Sequence, residues 1–326
     1  MMQWQPISDH ACELGESPFW HPLEQALYWV DIAQRQILRA NVYMGTVQIW
    51  DLPTEPGCIA PAAGGGLVMA LRDGIYRARE WGGALQRIAT LPYDPTAVRA
   101  NDGRCDAHGR FWVGTVDETK SHDAAALYCV DARQGAATVT CHAEGALTGN
   151  GLAWSPDQRT LYWSDTPRHV TYCWDYTGEG PTLGARRVFQ QFAPKPLGWQ
   201  FTDGSYQGRP DGAAVDQQGN YYVALYEGAR LCQFSPDGRL LSEIPIPVQC
   251  PTMPCLGGED GRTLFVTSAR RGRSESELAA QPLAGCVMQT RVAVAGLPVA
   301  GFVDLAEGSV ISCRRRLLTT MCSVGS

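Results

Sequence analysis

Gly151-Leu152-Ala153-Trp154-Ser155-Pro156-Asp157, followed two residues later by Thr160-Leu161-Tyr162-Trp163-Ser164-Asp165, reads as a short strand, a tight turn and an aromatic strand. Apolar and aromatic residues suit a pleated, half-buried surface, and Ser-Pro-Asp interrupts it. The same figure recurs along the chain. Ser17-Pro18-Phe19-Trp20-His21-Pro22 leads to Ala26-Leu27-Tyr28-Trp29-Val30-Asp31, and Gly103-Arg104-Cys105-Asp106-Ala107-His108-Gly109 leads to Arg110-Phe111-Trp112-Val113-Gly114. Gly212-Ala213-Ala214-Val215-Asp216-Gln217-Gln218-Gly219 leads to Asn220-Tyr221-Tyr222-Val223-Ala224. Weaker copies stand at Gly64 to Ala70 and at Cys255 to Thr267, which makes six units.

Self-similarity at a period of roughly 40–60 residues is the signature of propellers and solenoids. After most units comes a further strand, such as Leu127-Tyr128-Cys129-Val130 or Leu231-Cys232-Gln233-Phe234. The expected fold is therefore all-β: a six-bladed β-propeller of four-stranded antiparallel blades, whose closure protects the sheet edges. The segment Gln3 to Ile7 is expected to supply the last strand of the final blade and latch the ring. Residues 1–326 read as one propeller domain, with about 305–326 as a poorly ordered tail.

Composition agrees with this class and excludes others. Of 326 residues, 35 are Gly and 21 Pro, while Trp and Tyr together supply 22, the mixture expected of many short strands joined by tight turns. A formal charge of −6 argues against a nucleic-acid or anionic-membrane partner, since either needs a concentrated basic face. The single basic run, Arg314-Arg315-Arg316, reads as a solvated segment. Met1-Met2-Gln3-Trp4-Gln5-Pro6 lacks the basic and apolar regions of a signal peptide, and no later stretch is apolar for long enough to span a bilayer. A cytoplasmic protein follows, in which the 12 scattered cysteines are reduced thiols.

The phase of the repeat locates the chemistry. Five residues before His21, Asp106, Ser155 and Asp216 stand Glu16, Asn101, Asn150 and Asp211; the same count in the two weaker units reaches Ala60 and Met253. Four of six equivalent positions therefore carry hard oxygens. In a propeller these positions, just before the innermost strands, converge at one mouth of the channel. Two carboxylates with one or two amide oxygens suit an oxygen-preferring divalent cation with positions left open for water and substrate. Pro236-Asp237-Gly238 repeats Pro210-Asp211-Gly212 but falls between later strands, so it reads as an outer turn. Arg99 stands beside the ring and could hold an anionic or hydroxyl-rich substrate, while Asp102 and Asp106 read as braces of their turn.

Four ordered motifs resemble the SMP-30/gluconolactonase/regucalcin family, and within it bacterial sugar-acid lactonases. They are Leu14-Gly15-Glu16-Ser17-Pro18-Phe19-Trp20; Arg99-Ala100-Asn101-Asp102-Gly103 with Gly109 to Thr115; Asn150 to Ser155; and Arg209-Pro210-Asp211-Gly212 with Asp216 and Gly219. The likeness runs from about residue 12 to about residue 300. It implies one divalent metal ion (Ca²⁺, Zn²⁺, Mn²⁺, Mg²⁺ or Fe²⁺) held by Glu16, Asn150 and Asp211. It also implies Asp211 as catalytic base, with Arg99 and Asn101 as substrate-binding residues. The implied reaction is hydrolysis of sugar-acid lactones, such as gluconolactone or a pentonolactone, to the free acids. Two alternatives share the ring: an aryl-ester or organophosphate hydrolase, and a non-catalytic calcium-binding propeller.

Two loops depart from a plain repeat. The Pro-, Gly- and aromatic-rich connection from Ala193 to Gly208 runs directly into Asp211, and is read as either a lid that sets Trp199, Phe201 or Tyr206 against a sugar ring or a disordered surface loop. Asp117 to Asp123 lies where family members contribute a substrate contact, with the choice between Glu118 and Thr119 left open.

Overall fold

The computed structural model describes residues 3–177 and 182–305. Within them lie six antiparallel sheets of four strands each, arranged as the blades of a propeller. The innermost strands are Gly15–His21, Pro56–Pro61, Val98–Cys105, Gly149–Trp154, Arg209–Val215 and Pro251–Gly257, each followed outward by its next strands in chain order. The last blade breaks this rule. Its outermost strand is Gln5–Pro6, which pairs antiparallel with Met288–Arg291, so that the first residues of the chain close the ring. Trp4 Nε1 donates to the Pro245 carbonyl at 2.7 Å and Thr290 Oγ1 to that of Gln3 at 2.9 Å, fixing the latch to the fifth blade and to its own. The latch and the six-bladed reading are thus both observed.

Blades meet through their aromatic second strands. Trp112, Trp154, Trp163, Trp174 and Tyr176 share one apolar cluster between the third and fourth blades, and Tyr162, Tyr221 and Phe234 another between the fourth and fifth. This is the packing that the repeated aromatic strands anticipate, since each unit alone leaves its sheet faces exposed.

One correction concerns phase. The ring residues do not precede the innermost strands but lie within them, at β-bulges. Pairing shifts between Glu16 and Phe19, Ala100 and Gly103, Asn150 and Ala153, and Pro210 and Ala213, where two residues oppose one on the neighbouring strand. A bulge re-aims side chains without ending the strand, which suits a residue that must point along the channel. Asn150-Gly151, a pair that would suit a hairpin turn, makes such a bulge: Gly151 has φ of 60°, and a Cβ there would come within 2.6 Å of the Tyr221 and Ser164 hydroxyl oxygens. Ser17 takes the corresponding left-handed conformation after Glu16, with φ of 51°. Its hydroxyl receives the Ile59 backbone N–H at 3.0 Å, tying the first blade to the second.

Asp106 braces its turn, as expected, and much else. Its carboxylate accepts the backbone N–H of His108 and Arg110, Arg110 Nε at 2.7 Å, Trp112 Nε1 at 2.8 Å and the Tyr176 hydroxyl at 2.9 Å. Asp237 is an outer-turn residue held to the Ser235 hydroxyl. The stretch up to residue 305 also belongs to the folded body: Phe302 is fully buried against Phe111, and Asp304 pairs with Arg77 and Arg79. The tail expected beyond it lies outside the described residues.

Because Arg110 is itself buried, Asp106→Ala removes a buried carboxylate at 2.7 Å from its guanidinium. The expected loss of stability is on the order of 3–5 kcal/mol, read from the urea unfolding midpoint and slope.

Candidate active site

The four oxygen-bearing positions meet at one mouth of the channel, each delivered by a different blade and all buried. Hydrogen bonds link them in a ladder. Arg99 Nη1 donates to Asn101 Oδ1 at 2.9 Å, and Asn101 Nδ2 donates to Asn150 Oδ1 at 2.8 Å and to the Gly149 carbonyl at 3.1 Å. Asn150 Nδ2 donates to Thr166 Oγ1 at 2.8 Å, and that hydroxyl donates to the carbonyl of Pro210, next to Asp211, at 2.7 Å. Each amide is thereby fixed in orientation. Asp102 lies between blades rather than in its own turn: its Oδ2 receives the Leu152 backbone N–H at 2.8 Å.

The carboxylates are strongly perturbed. Burial pushes the Glu16 carboxyl well above the usual range, and the charges of Asp211 and Asp102 push the same way. Burial also raises Asp211, to about 8, against the pull of Arg209 and Lys120. Glu16 Oε2 is buried without a hydrogen-bond partner among the described residues. No group of three His, Cys, Asp or Glu side chains gathers there or elsewhere among the described residues, because the set is two carboxylates completed by amides. These features fit an oxygen-preferring divalent cation: two like charges held together, an orphan carboxylate oxygen, and an oriented amide oxygen between them. Glu16, Asn150 and Asp211 are the residues that would hold it.

Above this ring, sequence reasoning missed several participants. Glu118 is the residue of the second loop that turns toward the ring: its Oε1 receives Arg99 Nε at 3.3 Å, and its two oxygens receive both terminal nitrogens of Arg72. Arg72 in turn makes a two-pronged pair with Glu55. Arg99 therefore stands in a fixed pose at the end of an alternating charge chain, beside a cavity of about 370 Å³ lined by Glu13, Gln34, Glu55, Arg72, Glu118 and Arg271. Thr166 carried no sequence signal. Lys120 might have been found by its place beside Glu118.

The 193–208 connection packs against the body through Tyr206 and Lys195, and only part of the lid expectation fits. Tyr206 is buried and its hydroxyl lies 2.6 Å from His169 Nε2, which takes it out of contact with a substrate. Trp199 packs edge-on against Tyr206. The loop is pinned by Lys195, whose Nζ donates to both oxygens of Glu227 at 2.9 and 3.0 Å.

The profile for the SMP-30/Gluconolactonase/LRE-like region matches residues 14–270. The chain belongs to that family. A 6-deoxy-6-sulfogluconolactonase of Pseudomonas putida is 43% identical over 283 residues, covering 87% of this chain and 92% of the relative. An L-arabinolactonase of Azospirillum brasilense is 31% identical over 308 residues, covering 93% and 96%. A solved calcium-binding protein, regucalcin from Agrobacterium tumefaciens, superposes with a TM-score of 0.83 over 93% of this chain and 98% of its own; at 23% identity it shows a common fold. Family membership agrees with the motif-based reading.

The charge chain behind Arg99 is open to a pH test. The Arg72 guanidinium holds the Glu55 carboxyl down at about 2, so the pair contributes stability above the unfolded carboxylate range that is lost as pH falls from about 4.5 toward 2. Glu55→Gln should lower the thermal midpoint at pH 7 by an amount worth about 1 kcal/mol, the pair being only partly buried and screened by solvent. That difference from the unmodified protein should shrink as pH falls through this window, as read by thermal melts.

Proposed function

We propose that this chain is a divalent-metal-dependent lactonase that opens sugar-acid lactones to the free acids, with Asp211 as base. The observation that carries the reading is the buried Glu16–Asp211 pair with its orphan oxygen, capped by the Arg99–Asn101–Asn150 ladder. The names of the lactonase relatives point the same way.

A divalent cation held by Glu16, Asn150 and Asp211 would polarise the lactone and lower the pKa of bound water. The residues divide the remaining work. Asp211, buried on the ring beside Glu16, accepts a proton from the attacking water. Arg99, held by Glu118, presents its remaining donors to the negative charge that develops on the lactone or to ring hydroxyls. Asn101 orients Asn150 and fixes the Arg99 fork at once.

The lining of the 370 Å³ cavity is dominated by charged and amide side chains. Of the site residues only Arg99 borders it, so a substrate reaching from the ring past Arg99 meets hydroxyl-binding groups there. We also place the protein in the cytoplasm as one propeller domain without nucleic-acid or membrane partners. In support, ten described cysteines are free thiols.

Stripping metal and restoring Ca²⁺, Mg²⁺, Mn²⁺, Zn²⁺ or Fe²⁺ singly, while following acid release from five- and six-ring aldonolactones, tests the reading. At least one ion should restore turnover above the spontaneous background. Asp211→Asn should cost roughly 10²–10⁴-fold in the corrected rate. No acceleration with any ion, or an unchanged rate in the variant, would remove lactone hydrolysis or the role of Asp211 respectively.

A further inference from the structure

The mouth carries more positive charge than lactone opening uses. Lys120, in the loop after the strand Phe111–Asp117, turns inward so that its Nζ donates to Thr148 Oγ1 at 2.8 Å, two residues before Asn150. Among the described residues this is its one polar contact, and no carboxylate pairs with it. Arg99 and Arg209 flank it with like charge, and Asp165 and Asp211 are the acids that face it. Asp165 is already committed to Arg168 at 2.7 Å and to the Thr148 backbone N–H. Once Asp211 is committed to a metal ion, Lys120 keeps no counter-charge of its own.

Across Asn150, on the fifth-blade side, the excess continues. Glu227, its side chain 2% exposed, gathers Lys195 at 2.9 Å, Arg209 at 2.7 Å and Arg273 at 2.9 Å. Glu277 lies 3.6 Å from Arg273, so three cations face two carboxylates. These cations come from separate segments: the 193–208 loop, the strand that carries Asp211, and the segment before the helix Glu275–Ala280. Beside them, Trp199 holds its ring 4.7 Å from Lys195 Nζ and keeps a buried Nε1–H without a partner. An ammonium without a carboxylate beside a guanidinium matches an oxyanion with several acceptor oxygens. A neutral sugar would leave this set uncompensated.

We propose that Lys120 and Arg209, with Lys195 behind them, form an anion subsite that grips a sulfonate, phosphate or carboxylate substituent on the sugar lactone, remote from its reacting carbonyl. The subsite rests on the lactonase reading for the part of the ligand that reacts, yet it binds without reaction. Since the rim is solvent-accessible, its grip weakens as salt rises.

The decisive measurement is calorimetric binding to the full-length, metal-supplemented protein of three unreactive rings: a hexose 6-sulfonate, a hexose 6-phosphate and the unsubstituted hexose. At least one charged ring should bind tenfold or more tightly than the neutral one, and the better of the two names the substituent. Lys120→Met should erase roughly tenfold of that preference and Lys120→Arg should retain most of it, with thermal melts confirming that both variants fold. Equal affinity for charged and neutral rings, or equal weakening of both in Lys120→Met, would overturn the subsite. In parallel, kcat/KM for 6-substituted against unsubstituted gluconolactone should favour the charged substrate and lose that bias in Lys120→Met. Preferential binding of charged rings without turnover of any lactone would leave the subsite standing and remove the lactonase reading.

Discussion

Two carboxylates held together in the interior, Glu16 and Asp211, are the constraint to which the rest of this molecule answers. Removing them from water beside one another costs more than any single contact returns, so the chain must hold them by other means. The means is the closed ring. Glu16 comes from the first blade and Asp211 from the fifth, with the sixth between them sealed by the strand Gln5–Pro6. Aromatic packing between blades supplies the apolar burial that keeps the ring shut.

Around that pair the polar groups form two supports of different kinds. Below is the ladder of neutral donors and acceptors through Asn101, Asn150 and Thr166, which fixes direction without adding charge. Above is the alternating chain Glu55, Arg72, Glu118 and Arg99, which delivers one guanidinium to the mouth in a set pose. The ladder stays within hydrogen-bonding distance across three blades because bulges in the innermost strands turn successive side chains toward the axis.

Much of this was legible in the amino-acid order. The blade count, the latch and the convergence of Glu16, Asn101, Asn150 and Asp211 follow from the phase of a repeat whose aromatic strands are hard to mistake. The bulges were not legible, since Asn-Gly and Asp-Gly spell a turn as readily as an extra residue within a strand. Nor were Thr166, Lys120 and Glu227. Lys120 reaches Thr148 of the next blade, and Thr166 and Glu227 each join a residue of their own blade to Pro210 or Arg273 of the next, so these contacts depend on how neighbouring blades meet and leave no mark at short range. Tyr206 shows the opposite failure: an aromatic in a loop near a mouth invites a ligand role, yet His169 occupies its hydroxyl.

The latch also sets an order in time. The strand that completes the last blade is made first on the ribosome and has no partner until Met288–Arg291 emerges some 280 residues later. Such distant pairing carries a large loop-closure entropy and slows folding. Glu16 can be brought beside Asp211 early only against repulsion, with no finished ring to confine them. The pairing of Glu16 with Asp211 is therefore completed only by closure: without the sixth blade and its latch, the first and fifth blades have nothing to hold those two carboxylates side by side.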